Sequence, residues 1–434
     1  MPVVIHPSCS GCLPERNLYI IYIHLCTGIY SAFLKKEREY HMLSSLFPNI
    51  FPIVDSAPLL ALIMITISVG FMLQKFKFFK NAGIVFTVVL LGIVMTNIGI
   101  TPTSADVYSP IFTYCTPICI CLMLLNVDLR QVLKLSKAPL LAIASACISV
   151  TLVSFALGLF FCPQIDEGWK LSGMFVGTYT GGSPNLTAIG VALEASPEAL
   201  AAANAADYVG CMPALVILFA LPAILKKSAW FNKVWPYSLS DEELADGEDR
   251  QIAGELKWSI VEIAKLLAIA LSVFFVAKTI AGFFPASISS AVRVLLITTM
   301  ALIIGQIPAV RKLRGAMDLG MLMSLMFLTV IGYQVNIADF FNSALLTAVY
   351  VILVLIFTTL LHFVFCRLMK VPYQYVLTSV MAGIWDGPSA AMLAISSGWK
   401  SIVPVSMIMG TLGAACGNYL GIMTAYLVRA IIGG

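Results

Sequence analysis

Long apolar blocks separated by short polar breaks run through nearly the whole chain. About twelve of them approach the roughly 20 residues that a membrane-crossing helix needs. In the first half they occupy 57–73, 82–99, 107–127, 139–162, 170–193 and 204–225. In the second half they occupy 258–284, 291–308, 317–336, 343–366, 374–397 and 401–431. Between the halves, residues 226–257 carry the acidic run Asp241 to Asp249 and read as a solvated linker. The pattern therefore predicts a first transmembrane repeat over 47–225, a linker over 226–257 and a second repeat over 258–434. Residues 1–46 do not fit this pattern. Their one apolar run, Leu18 to Leu34, is short for a span, and Met42 opens the stretch leading into the first strong block. They are read as an atypical extension, with the natural start expected near Met42.

Two blocks are interrupted by residues that break helices. Thr180-Gly-Gly-Ser-Pro-Asn185 lies in the fifth block and Trp385-Asp-Gly-Pro-Ser389 in the eleventh. In lipid an interrupted helix leaves backbone groups without partners, so a break is tolerated only within protein or beside a water-filled cavity. A matched pair of such segments is the best sequence pointer to a transporter's binding site.

Composition fixes the class. Of 434 residues, 60% are hydrophobic and 11% charged, against roughly 25% charged in soluble domains. The expected fold is an all-α polytopic membrane protein with the lipid bilayer as a partner. A net charge of +4 without a basic, aromatic-interleaved stripe excludes nucleic acid. The eleven cysteines are scattered, and Cys9 and Cys12 have metal-ligand spacing without a second pair to complete a site. No resident cofactor is expected, and without a P-loop ATP does not drive the protein directly.

The halves share landmarks in the same order. Leu122 to Val127 recurs as Leu325 to Val330, and Asp207-Tyr-Val-Gly210 as Asn418-Tyr-Leu-Gly421. Their loop charges are opposed. Lys75, Lys77 and Lys80 match an uncharged loop over 281–290, and Asp106 matches Arg311, Lys312 and Arg314. Arg130, Lys134 and Lys137 match Asp339, and Asp166 and Glu167 match Arg367 and Lys370. Since Lys and Arg mark the cytoplasmic side, the repeats are expected to be inverted, each with a discontinuous helix crossing at mid-membrane. The same rule places Lys226, Lys227, Lys233 and the end near Arg429 inside, and the entry near Asp55 outside. That requires an odd number of crossings within a range of about 11–13, with the miscount expected between Pro163 and Lys226. The C-terminus is then cytoplasmic, in the inner membrane of a bacterium.

The interruptions carry the candidate chemistry. Gly181, Gly182 and Pro184 free backbone carbonyls, and Thr180, Ser183 and Asn185, with Thr178 and Thr187, add neutral oxygens that suit a hard cation. Asp386, beside Gly387, Pro388 and Ser389, is an acid inside an apolar block. Burying a charge there costs at least ~2.5–3.5 kcal/mol, so such an acid is a functional hypothesis by default. Its structural alternative is a cap for the helix beginning at Gly387, and the two roles can coexist. Asp207 is a second buried acid, with Asn204 one turn earlier and Asn418 as its repeat partner. A Na⁺ ion could draw on Asp386, Asn185 and Asp207. His362 is read as structural, and Asn126, Gln334 and Asn336 as caps or packing residues.

Over roughly 45–434, with Gly177 to Asn185 as the most distinctive motif, the chain resembles the bacterial membrane family catalogued as domain of unknown function 819. Through it, the chain resembles the wider group of bile acid:sodium symporters and cation/proton antiporters. That resemblance implies two discontinuous helices crossing at mid-membrane and a core that moves against a panel or dimerisation domain, so a homodimer is an expected state. Gly181, Gly182 and Asn185 resemble the symporters' first crossing motif. Asp386, Gly387 and Ser389 are the counterparts of a Glu-containing second motif whose Gln-Asn pair is absent here. Asp207 falls on the helix where antiporters carry an acidic pair, but its neighbour is Ala206.

The expected function is alternating-access secondary transport, not enzymatic catalysis. A small organic solute, an anion among the options, would move with Na⁺ or H⁺ as coupling ion. A monovalent cation/proton antiporter is the alternative. An intramembrane aspartyl protease using Asp207 and Asp386 is a remote one, because the motif contexts of that chemistry are missing.

Overall fold

The computed structural model describes residues 52–76, 79, 83–125, 127, 129–245, 259–335 and 345–433. The atypical leader, the linker beyond residue 245, and Asn126, Asn336 and Asp339 lie outside the described residues.

Every regular element among the described residues is helical. The first half supplies α1 (Ser56–Leu73), α2 (Ile84–Asn97), α3 (Tyr108–Leu124), α4 (Lys137–Phe161), α5 (Gly168–Gly181), α6 (Ser183–Ala192) and α7 (Pro197–Lys227). The second supplies α8 (Ile260–Ala281), α9 (Ala286–Gly305), α10 (Ala316–Gln334), α11 (Leu345–Leu368), α12 (Tyr373–Ile384), α13 (Gly387–Ser396) and α14 (Ile402–Ile432). Eight of these, α1, α4, α7, α8, α9, α10, α11 and α14, are long and apolar enough to cross a membrane. α1 shows the pattern. It buries Leu59, Ile63 and Ile67 at one-turn intervals and leaves Leu60, Met64 and Phe71 exposed. A helix apolar on every side meets lipid on the face that does not meet protein. The chain is an integral membrane protein.

The two interrupted blocks, expected to cross the membrane as discontinuous helices, instead fold back on themselves. At the base of the first, Lys170 at the start of α5 donates to the carbonyl of Glu194, just past α6, at 2.8 Å. Glu167 accepts from the Ser196 backbone N–H at 2.8 Å. Between base and tip, a Cβ on Gly177 would meet Ile189, and one on Gly190 would meet Met174, as an antiparallel pair requires. The second hairpin closes in the same way. Tyr373 at the start of α12 packs against Trp399 beyond α13, ring centroids 6.0 Å apart. Length makes the difference physical. α5 has 14 residues and α12 has 12, so the legs reach about 21 and 18 Å, short of a hydrocarbon core of about 30 Å.

The reversals have local causes. Gly182 sits at φ 84° and ψ 175°, a region open essentially to glycine alone. Pro184 and Pro388 each occupy the first turn of the returning helix, where a missing N–H costs nothing. Asp386 is extended and caps α13.

α14 is the spine along which both hairpins lie. Its start meets the base of the second hairpin, where Ser401 N–H donates to Leu244 O and Tyr373 N–H to Tyr237 O. Its end meets the base of the first, where Arg429 lies 4.7 Å from the Trp169 ring centroid. The hairpins therefore enter from opposite ends. α7 runs the other way, from Ser196 beside the first base to Lys226, which pairs with Asp241 beside the second. Lys226 and Arg429 thus lie at opposite ends, which removes the shared side that the charge reading gave them. With that shared side gone, an odd number of crossings is no longer required, and the two hairpins, counted among the twelve blocks, are not crossings.

Close contact on α14 is made by bare backbone. Gly410, Gly413, Gly417 and Gly421 face, in turn, Gly387, Thr180, Thr180 with Asn185, and Gly173 with Ile189. Small residues at such spacing let membrane helices approach closely.

The linker is only partly as expected. Residues 229–245 are largely exposed, yet they lace under the second hairpin through a few buried side chains. Phe231, Trp235 and Leu244 are buried, and Trp235 Nε1 donates to Val371 O at 3.0 Å. Apolar residues scattered through the polar stretch give it a packed face, while Lys226 and Asp241 stay exposed.

Candidate functional site

The tips of the two hairpins touch. A Cβ on Gly182 would collide with the carbonyl oxygen of Trp385, and one on Gly383 would press on the carbonyl of Tyr179. The contact brings together Gly181 to Asn185 and Asp386 to Pro388, two stretches about two hundred residues apart in the chain.

On one side of this contact is a cavity of about 60 Å³. Gly181, Pro184, Asn185, Asp386, Gly387 and Pro388 line it from the hairpins, and Gly410, Thr411 and Ala414 from α14. Its other wall is apolar and rich in sulfur: Cys119, Ile120, Met123 and Leu124 of α3, and Met317 and Met321 of α10. A water needs at least ~10–15 Å³, so in this state the space is large enough for an ion with a few waters.

Asp386 is half-buried at the cavity edge. Its Oδ1 accepts the Ser389 backbone N–H at 2.7 Å, the helix-cap role expected as its structural alternative. Apart from Ser389, no described residue donates to this carboxylate. Asn185 Nδ2 donates to Ala414 O at 2.9 Å, which leaves its own carbonyl oxygen for the cavity. Among the described residues, neither Lys, Arg nor His lines this space.

Asp207 lies on the other side of the first tip, within protein, at 1% exposure. Its Oδ2 accepts from Thr178 Oγ1 at 3.2 Å and from Ser183 Oγ at 3.3 Å, and its Oδ1 from Cys211 Sγ at 3.1 Å. Like Asp386, it has no cationic side chain among its described partners. A buried charge without a partner is costly enough that such a group normally neutralises or binds a counter-ion. Here two acids sit within one small region in that condition.

The remaining sequence candidates divide. Thr180 turns its hydroxyl to Val176 O and Gly177 O of its own helix. Thr187 does the same toward Ser183 O. Asn204 donates to Leu200 O within α7. Asn418 donates to Thr298 of α9 at 3.0 Å and lies away from the cavity. Asp207 and Asn418 stand at different places in their helices, ten residues past the start of α7 and sixteen past the start of α14. α7 and α14 each have 31 residues, and the residue ten past the start of α14, as Asp207 is in α7, is Leu412. His362 is structural, as expected, bridging Ser145 on α4 and Ser379 on α12 at 3.0 Å each.

Three contributors escaped the sequence reading. Cys211 was readable as i, i+4 from Asp207 on one helix face. Thr411 and the glycine line of α14 were hidden because small residues are common in membrane helices. The methionine wall had no sequence signal, since it assembles from α3, α10 and α14.

A family model described as "Protein of unknown function (DUF819)" matches residues 61–431. An uncharacterised membrane protein, YjcL of Bacillus subtilis (strain 168), is 26% identical over 362 residues, covering 80% of this chain and 90% of that protein. The chain belongs to the DUF819 family.

Proposed function

We propose that this member of the family is a secondary transporter that works by alternating access, with Na⁺ or H⁺ as coupling ion held at the touching hairpin tips. The observation that carries the reading is Asp386, a carboxylate at the edge of an ion-sized cavity with no cationic side chain beside it among the described residues. Tips of re-entrant helices bring both backbone dipole ends and side chains to one level inside the membrane, as ion-coupled transporters need. The pair α6 and α13, ten residues each, and the pair α7 and α14, 31 each, fit two repeats of opposite orientation. The domain division at the linker follows that symmetry, and the likeness to the bile acid:sodium symporter group extends to this principle only.

Orientation follows from charge. The end holding the second hairpin's base gathers Lys75, Arg130, Lys226, Lys227, Arg311 and Arg367, and the opposite end gathers Asp55, Asp106, Asp166 and Glu198. The basic end faces the cytoplasm. The C-terminus, reached after Arg429, then faces away from it, opposite to the sequence expectation, in the inner membrane if the host is bacterial.

A cation/proton antiporter is the second reading, and the cavity's size favours it. The protease reading has less support. Asp207 accepts from Thr178, Ser183 and Cys211, Asp386 from Ser389 of its own helix, and neither carboxylate is among the other's hydrogen-bond partners, whereas acid-pair catalysis shares one proton.

The test is transport in proteoliposomes. Imposed Na⁺ or pH gradients should drive solute or counter-ion movement in the wild type and not in Asp386→Asn. Equal rates in the two proteins would end the proposal.

A further inference from the structure

The cavity beside Asp386 also constrains what the cargo can be. Among the described residues that line it, the only carboxylate or cationic group is Asp386, and the only other polar side chains are Asn185, Thr411 and the Cys119 thiol. The N-terminal dipole of α13, which could otherwise attract an anion, is already met by the Asp386 carboxylate through Ser389 N–H. An anionic cargo would add a second negative charge to a space with no positive side chain, at a cost set by low-dielectric repulsion. A cationic cargo would cancel the one that is there.

The rest of the wall says what the cargo's body is like. Met123, Met317, Met321 and Met407 join Ile120 and Leu124 around the carboxylate. Methionine is unbranched and polarisable, so a wall made of it adapts to apolar groups of differing shape. Met407 is on α14 beside the hairpins, but the rest of this wall belongs to α3 and α10, whereas Asp386 and Asn185 belong to the hairpins. Separation of hairpins from wall would enlarge the space without unmaking the charged end.

Resting on the transporter reading above, we propose that the cargo is a small organic cation, an amine or ammonium on an apolar body. Its charge pairs with Asp386 and its body lies on the methionine wall. A single carboxylate then serves cargo and coupling ion in turn, so the two exchange rather than travel together.

The test uses the full-length protein in detergent and a graded series of alkylammonium ions, ethyl to hexyl, against alkyl carboxylates of matched length. Thermal unfolding is read with and without Na⁺, since a ligand of the native state raises apparent stability. The alkylammonium ions should stabilise the wild type increasingly with chain length, and added Na⁺ should weaken the effect competitively. Asp386→Asn, which can still cap α13, should weaken their apparent affinity at least about tenfold, and Met321→Ala should shift the preference to longer chains. Stabilisation by carboxylates instead of alkylammonium ions overturns the proposal, as does alkylammonium binding indifferent to Asp386 or to Na⁺. A Na⁺ effect that depends on Asp386 without any alkylammonium effect overturns this inference and leaves the coupling-ion reading intact. Loss of both Na⁺ and pH dependence removes the coupling reading itself.

Discussion

Gly182 lies with its α-carbon against the carbonyl oxygen of Trp385, so the two hairpins meet backbone to backbone at a point where no side chain fits. This contact joins the halves of the chain at the level of the candidate site.

Gly182→Ala should therefore be among the most damaging single-methyl additions in the protein. It forces a non-glycine residue to φ 84°, for which about 1–3 kcal/mol is the usual cost, and adds a collision with Trp385. A fall in thermal stability of the solubilised protein, together with loss of gradient-driven transport, is the expected result. Unchanged melting would show that the tips are not in contact.

Asp386 serves as helix cap and as candidate ion ligand, and two substitutions separate the roles. Asp386→Asn keeps an oxygen for Ser389 N–H, so its stability should stay near wild type while coupled transport is lost. Asp386→Ala should lose transport and also about 1 kcal/mol of stability, the usual value of a cap. Equal melting temperatures for the two variants would show that the cap contributes nothing.

Asp207 holds three donors from three helices, α5, α6 and its own α7. Asp207→Leu should leave the Thr178 and Ser183 hydroxyls buried without partners, at roughly 1–3 kcal/mol for each unsatisfied group. Asp207→Asn should recover most of that stability. Unfolding curves for the pair, beside wild type, check the ordering.

The base of the first hairpin should loosen in acid. Burial alone would raise the Glu167 pKa, but hydrogen bonds from Lys170 and from Ser196 outweigh it and hold the carboxyl below the usual glutamate range. A depressed folded value means that its contribution is complete above the unfolded value of about 4.3 and is lost as pH falls through the lower folded value. Amide exchange over 167–196 should therefore rise below about pH 4 in the wild type, and Glu167→Gln should show the raised exchange at neutral pH. Exchange that is flat with pH in both proteins would contradict this.

Lys227 and Gly433 should be labelled from opposite sides of the membrane. Single cysteines at the two positions, in a background without the other cysteines, should react with an impermeant maleimide in opposite vesicle orientations. Labelling from one side would refute the tracing.

The sequence was legible where physics is local. Most block boundaries fall within a few residues of the helices, since apolarity over a span depends on little else; 139–162 became Lys137–Phe161 and 401–431 became Ile402–Ile432, whereas the helix of 204–225 starts at Pro197, in an Ala-rich stretch that apolarity marks weakly. Both interruptions were found because Gly and Pro act on their own backbone. Whether the chain continued or turned back after Gly182 was not legible. The same Gly-Gly-Ser-Pro serves either course, and the outcome depends on whether α14 offers a bare face to fold against. Asp207 and Asn418 share Tyr and Gly neighbours in the sequence, but that they stand ten and sixteen residues past the starts of their helices is visible only in the fold. The packing of Trp235 and Leu244 was masked by the acidic residues around them.

The glycine line of α14 has one more consequence. Gly410 touches the second hairpin at Gly387, and Gly413 touches the first at Thr180, only three residues further on. One helix thus acts as a ruler that sets how the two hairpins are aligned. Inserting a single residue between these marks would turn one against the other by about 100° and open the junction without altering any residue that lines it.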